Sequence, residues 1–156
     1  MNYKKIWDKT LSINEKIEHE FSVGLGYIFW GLILAFIFCI ILIFSRMIYL
    51  GLFIFLFLSF YFLFYLKISN AYAFTNKRIL IHRGFLSTSV ISIEYSKITD
   101  IRIYESFIDK TFTQTGSLHI NTAGTSKIEV SLYHVDNPYK LKQTLDNLIS
   151  KKGDQL

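Results

Sequence analysis

GLGYIFWGLILAFIFCIILIFSRMIYLGLFIFLFLSFYFLFYL, Gly24 to Leu66, holds a single charged residue, Arg46, which stands beside Ser45 near its middle. On either side, Gly24–Phe44 and Met47–Leu66 run for 21 and 20 residues without a charge. At about 1.5 Å per residue each run covers the roughly 30 Å hydrocarbon layer of a bilayer. The stretch therefore reads as two membrane-spanning helices folded into a hairpin. A soluble core would show shorter apolar runs with polar faces, whereas only Tyr, Ser, Trp and Gly interrupt the Ile, Leu and Phe here.

Outward from the hairpin, residues 1–23 form a leader and residues 67–152 a water-facing domain, with 153–156 as a tail. The leader places Ile13, Ile17 and Phe21 at i, i+4 and i+8, and Ser12 with Glu15 matches a capping box. This spacing suits a short interfacial helix feeding the first span, with a plain solvated leader as the equal alternative. A cleavable secretory signal is not expected, because 23 mixed-charge residues precede the apolar run, which is too long for a signal and lacks an Ala-x-Ala site. Lys4, Lys5, Lys9 and Lys16 precede the first span, and Lys67, Lys77, Arg78 and Arg83 follow the second. Such a distribution puts both termini on the cytoplasmic side of the cell membrane. The leader's charges cancel, and residues 67–156 carry a net +4, which suits a position beside anionic lipid. No basic run or aromatic ladder points to nucleic acid.

Inside the first span, Gly31, Ala35 and Cys39 recur every four residues, the spacing that lets helices approach closely in lipid. The second span offers Gly51 and Ser59. A reversal at Ser45 and Arg46 pairs Cys39 with Gly51 and Gly31 with Ser59, so this seam is expected to join the hairpin; the alternative is a dimer face. Cys39 is the only cysteine, which leaves neither an intramolecular disulfide nor a cysteine metal cluster.

Beyond Lys67 the period changes to two. Strands are expected near 72–74, 78–83, 88–94, 98–104, 117–121 and 128–133, with turns at Asn76-Lys77, Gly84, Ser96-Lys97 and Ala123-Gly124. Asn137 and Pro138 then open a helix whose Leu141, Leu145, Leu148 and Ile149 share one face. Several strands and one amphipathic helix make an α+β fold, a curved antiparallel sheet or open barrel with the helix plugging one end.

The residues Tyr72-Ala-Phe-Thr-Asn-Lys-Arg-Ile79, Gly84, Ile98-Thr-Asp-Ile101, Thr122-Ala-Gly124 and Val135-Asp-Asn-Pro138 resemble, in order and spacing, the bacterial pleckstrin-homology-like (PH) domains of small membrane proteins. The resemblance covers about Tyr72 to Ile149 and implies a split, strongly bent barrel capped by the C-terminal helix. It also implies membrane-associated interaction or scaffolding, and supplies no ligand. Phe112-Thr-Gln-Thr-Gly-Ser117 departs from the family's glycine-rich pattern, keeping only Gly116.

Lys67, Lys77 and Arg83 are the candidates for gripping lipid headgroups, against the plainer reading of solvated, edge-protecting cations. Arg78 and Arg83 lie an odd number apart and so point to opposite faces of a regular strand. His19, His82, His119 and His134 lack the close spacing of a ligand pair, although His82 and His119 have room to meet across strands, and no metal or cofactor is expected. Asp100, Glu105 and Asp109 have ordinary strand and loop neighbours, and no nucleophile with a base, phosphate loop or nucleotide fingerprint accompanies them. No catalytic residue is assigned. The sequence thus leads to a non-enzymatic membrane protein presenting a PH-like domain to a lipid headgroup, a membrane-protein partner or a second copy of itself. The alternative is a transporter or pore component regulated by that domain.

Overall fold

The computed structural model describes residues 3–123 and 130–153. A helical turn, α1 (Lys4–Trp7), leads to strand β1 (Ile17–Ser22). Helices α2 (Leu25–Phe44) and α3 (Ile48–Ser69) follow, and α3 carries a π turn over Tyr61–Tyr65. Strands β2 (Asn70–Thr75), β3 (Arg78–Arg83), β4 (Ser89–Glu94), β5 (Ile98–Tyr104), β6 (Thr115–Thr122) and β7 (Val130–Asp136) precede the C-terminal helix α4 (Pro138–Gly153). The expected turn at Gly124 and the start of the last strand at Ile128 lie outside the described residues, as do residues 154–156 of the tail.

The strands form two antiparallel sheets, β1-β2-β3-β4 and β5-β6-β7. A bridge between Val23 and Val135 links them along one seam. Alternation explains the core: Tyr72, Phe74, Ile79 and Ile81 face inward from β2 and β3, and meet Leu118, Ile120, Leu132 and Val135 of the second sheet. Leu141 and Leu145 of α4 close the end, so the amphipathic helix plugs the barrel as its apolar face requires. Asn137, at φ +46°, turns the chain into α4 and accepts a side-chain hydrogen bond from the Lys140 N–H.

The leader corrects the sequence reading. Ile17–Ser22 is the edge strand of the first sheet, with Ser22 opposite Ala71 and Phe21 opposite Tyr72. The apolar positions that suggested a helix are all an even number apart, so they fit a period of two as well, and pairing with β2 decides between the periods. Half of the capping box does form, the Ser12 N–H donating to Glu15 Oε2 at 2.8 Å. Asn14 at φ +63° ends the turn before a helix can propagate. Tyr3 and Trp7, the latter with no exposed surface, cover Ala71, Ala73 and Leu80 on the outer face of the sheet. Strands β2 and β3 are thus buried on both faces.

A domain taken to begin at Lys67 consequently omits its own first strand. The helical hairpin is an insertion between β1 and β2, and because those strands pair side by side, both ends of the hairpin leave the sheet together. The reversal between α2 and α3 follows from hydrogen-bond chemistry. Arg46 at φ +62° lets the Arg46 N–H reach the Ile43 carbonyl (3.0 Å) and the Met47 N–H reach that of Leu42 (3.0 Å), satisfying the last turn of α2. Both helices are long and apolar enough to cross a membrane.

Candidate interaction site at the base of the hairpin

Four hydrogen bonds from different elements hold the hairpin where it enters the sheets. Asp136 of β7 accepts from the Leu25 N–H at 3.1 Å, satisfying one of the orphan donors at the start of α2. The Gly24 N–H donates to the His134 carbonyl at 2.7 Å, and the Gly84 N–H to that of Ser69 at 2.8 Å. The Ser22 hydroxyl bonds the Asn70 carbonyl at 2.6 Å. Tyr27, one turn into α2, stacks on the imidazole of His134 with ring centroids 3.9 Å apart. His134 Nδ1 lies 3.7 Å from Asp109, whose carboxylate also caps the turn begun by Ser106. Burial holds the His134 pKa below its ordinary value, and the nearby Asp109 carboxylate only partly offsets this.

The three headgroup candidates do not converge. Lys77 lies on the β2–β3 turn, and its Nζ donates to the Ile13 carbonyl at 3.0 Å. Arg83 stands at the other end of β3, about 20 Å away by the rise of a strand. There its guanidinium donates to the Ser131 carbonyl at 2.5 Å and lies over the ring of Tyr133, 5.9 Å from its centroid. Lys67 lines a groove of about 360 Å³ together with Tyr3, His19, Glu20 and Asp136, so acids flank the one lysine. Lys77 and Arg83 therefore stand at opposite ends of one strand and form no single patch.

Along the seam of the hairpin, Ala35 and Cys39 are buried and Gly51 sits against Cys39, its absent side chain leaving room for the Cys39 carbonyl and Leu42. The place a side chain would take at Gly31 is filled by the ring of Phe62, not by Ser59. Helical side chains lean toward the N-terminus, so the ring of Phe62 covers the turn that contains Ser59.

Arg78, on the outer face of β3, has the partner that sequence reading missed. Its guanidinium grips Glu15 through Nε (3.0 Å) and Nη2 (2.9 Å), and Nη2 also reaches the Thr10 carbonyl and the Ser12 hydroxyl. Burial opposes ionisation of Glu15, yet the hydrogen bonds from Arg78, the Ser12 N–H and the Thr75 hydroxyl overcome it and bring its pKa down to about 2. The only local signal was the acid of the capping box, which gave no hint of an arginine 63 residues away. His82 packs edge-on against Trp7, while His119 bonds the Ser131 hydroxyl at 2.7 Å, so the two histidines have separate surroundings. Asp100 pairs with Arg102 and Asp109 with His134, which separates the carboxylates as well. Among the described residues, no group of three His, Cys, Asp or Glu is placed to hold a metal ion.

The seven strands in two sheets, closed by a C-terminal helix, coincide with a family match: the model of the bacterial PH domain family covers residues 20–149, from within β1 to the last turns of α4. The chain belongs to the bacterial PH domain family. Among solved structures, this PH domain is similar to a DUF1696-family protein with a pleckstrin-homology domain from Shewanella loihica PV-4, at 13% identity and a TM-score of 0.52, over 96% of this chain and 98% of that one. It is likewise similar to a pleckstrin-homology domain from Shewanella amazonensis SB2B, at 13% identity and a TM-score of 0.50, over 90% of this chain and 80% of that one. At such identity the likeness speaks to the fold. No curated protein matches the sequence. The family match begins before the hairpin and ends after it, so the PH domain, like the sheet, is split by α2 and α3.

Proposed function

We propose that this chain is a non-enzymatic integral membrane protein whose hairpin crosses the cell membrane and holds the PH domain against the cytoplasmic face, where it docks another membrane protein or a second copy of itself. The observation that carries this reading is the insertion of two long apolar helices, 20 and 22 residues, between paired strands, with Lys67 in the last turn of the second as their one charge. Their surfaces keep large apolar side chains such as Phe38, Phe53 and Phe57 exposed, an arrangement suited to lipid and costly in water. Because β1 and β2 lie side by side, both connections to the hairpin leave from one face of the domain, in keeping with the distribution of Lys and Arg.

The scattering of Lys67, Lys77 and Arg83 favours a protein partner over a headgroup pocket. Strands β4 and β5 each pair on one side only, and their free edges offer backbone groups to an added strand. Anchoring raises the local concentration of such a partner by confining both to one membrane. The test is extraction of native membranes with alkaline carbonate, followed by crosslinking in those membranes. The chain is expected to stay in the pellet until detergent is added and to crosslink to a membrane protein or to itself; release by carbonate alone overturns the anchor, and an uncrosslinked monomer overturns the docking role.

A further inference from the structure

Two loops carry bare apolar tips beside the hairpin, one against each helix. Between β3 and β4, Gly84-Phe85-Leu86-Ser87-Thr88 contains no charge, and Leu86 is 94% exposed. Phe85 meets Tyr65 of α3 edge to face, ring centroids 6.4 Å apart. Between β5 and β6, the helical turn that ends at Thr113 presents Phe107, 78% exposed, and Ile108, 63% exposed. Phe112 of that turn packs edge-on against Trp30 of α2, centroids 5.0 Å apart, and its carbonyl accepts the Trp30 indole N–H. Of the two acids in this connection, Asp109 is turned inward to Ser106 and His134 and Glu105 is half-buried against Gly116, while Lys110 is exposed.

The heights of these contacts agree. Trp30 is five residues from the start of α2 and Tyr65 four residues from the end of α3, about 7.5 and 6 Å along the helices from the sheet. Tyr27 and Tyr61, about 3 and 12 Å along their helices from the sheet, extend this aromatic zone to either side, of the kind found where membrane meets water. Exposed Phe, Leu and Ile at that level, with one lysine and no outward acid, make a surface complementary to the headgroup–acyl boundary. A protein docking face at this place would instead show its apolar centre rimmed by polar groups.

We infer that the loops 84–88 and 106–113 dip into the cytoplasmic interface of the same bilayer, so that the PH domain is clamped to lipid at two points flanking the hairpin and held in one orientation. This rests on the proposal that the hairpin spans the membrane. The occupant of the surface is the bilayer itself, because each loop continues a face that the spans already present to it.

The test uses the full chain carrying Cys39→Ala, reconstituted into phosphatidylethanolamine–phosphatidylglycerol vesicles, with an environment-sensitive fluorophore on one introduced cysteine at a time. The sites are Leu86→Cys and Ile108→Cys in the loops, Phe57→Cys in mid-span, and Ile13→Cys at the opposite end of the domain. Lipids spin-labelled near the headgroup or deep in the acyl chain serve as quenchers. Labels at positions 86 and 108 are expected to shift to the blue and lose emission to the shallow quencher, the label at 57 to the deep quencher, and the label at 13 to neither. If 57 is quenched by the deep label while 86 and 108 behave like 13, the loop inference is overturned and the anchor stands. If 57 also escapes the deep quencher, the anchor fails and the loop inference falls with it.

Discussion

Glu15 has a wholly buried side chain and would be a liability without Arg78, which meets both its oxygens. Replacing Glu15 by Ala leaves a half-buried guanidinium and the Thr75 hydroxyl short of a partner, a change expected to cost about 3 kcal/mol by chemical denaturation in detergent. The pH dependence has a definite sign. The folded pKa of about 2 lies below the ordinary 4.5, so the stabilisation is complete above about 4.5 and lost as the pH falls toward 2. Glu15→Gln should flatten that part of the stability curve. His82 acts at a higher window. Burial holds its pKa below the ordinary 6.5, and its Nδ1 has no hydrogen-bond partner among the described residues. The unfolded chain therefore takes up the proton first, and stability declines as the pH drops through about 6.5. His82→Gln is expected to show a smaller fall in melting temperature between neutral pH and about pH 5 than the parent chain. The sequence offered Glu15 only as the acid of a capping box and His82 only as one of four spaced histidines, since Arg78 and Trp7, which make their surroundings, lie more than sixty residues away along the chain.

At the level of elements, the joint between α2 and the loop before β6 depends on close approach. A side chain at Gly26 would collide with the carbonyl of Thr113, so only glycine lets the helix lie against that turn. Gly26→Leu is expected to lift the loop from the helix and undo the stacking of Tyr27 on His134. Hydrogen exchange at residues 106–113 should then accelerate, while exchange in β2 and β3 stays slow; unchanged protection in the loop would contradict the role given to Gly26. The strands themselves were legible because apolar alternation is local: the expected 78–83 and 98–104 coincide with β3 and β5. The helix that Ile13, Ile17 and Phe21 suggested was not there, since a six-residue segment rarely dictates its own structure and the edge of β2 supplied a ladder of hydrogen bonds.

For the whole molecule, the insertion of the hairpin within the sheet separates two kinds of shortened chain. Replacing residues 25–68 by a turn of about four residues joins β1 to β2 in the register they already hold, and should yield a water-soluble folded domain. A fragment of residues 67–156 lacks β1, Trp7 and Glu15, exposes both the edge and the outer face of β2, and is expected to aggregate. Circular dichroism and gel filtration of the two distinguish them; a folded, monomeric 67–156 would show that the leader is dispensable. From the sequence alone came the apolar hairpin, the α+β character and most of the strands, because uninterrupted apolar runs and period-two alternation need nothing beyond near neighbours along the chain. Only the tertiary structure decided that the leader is the first strand, that Arg78 locks onto Glu15, that the cations scatter, and that two apolar loops flank the helical hairpin. Each of those depends on which distant segments share a face, and that is set by the closing of the sheets around one core.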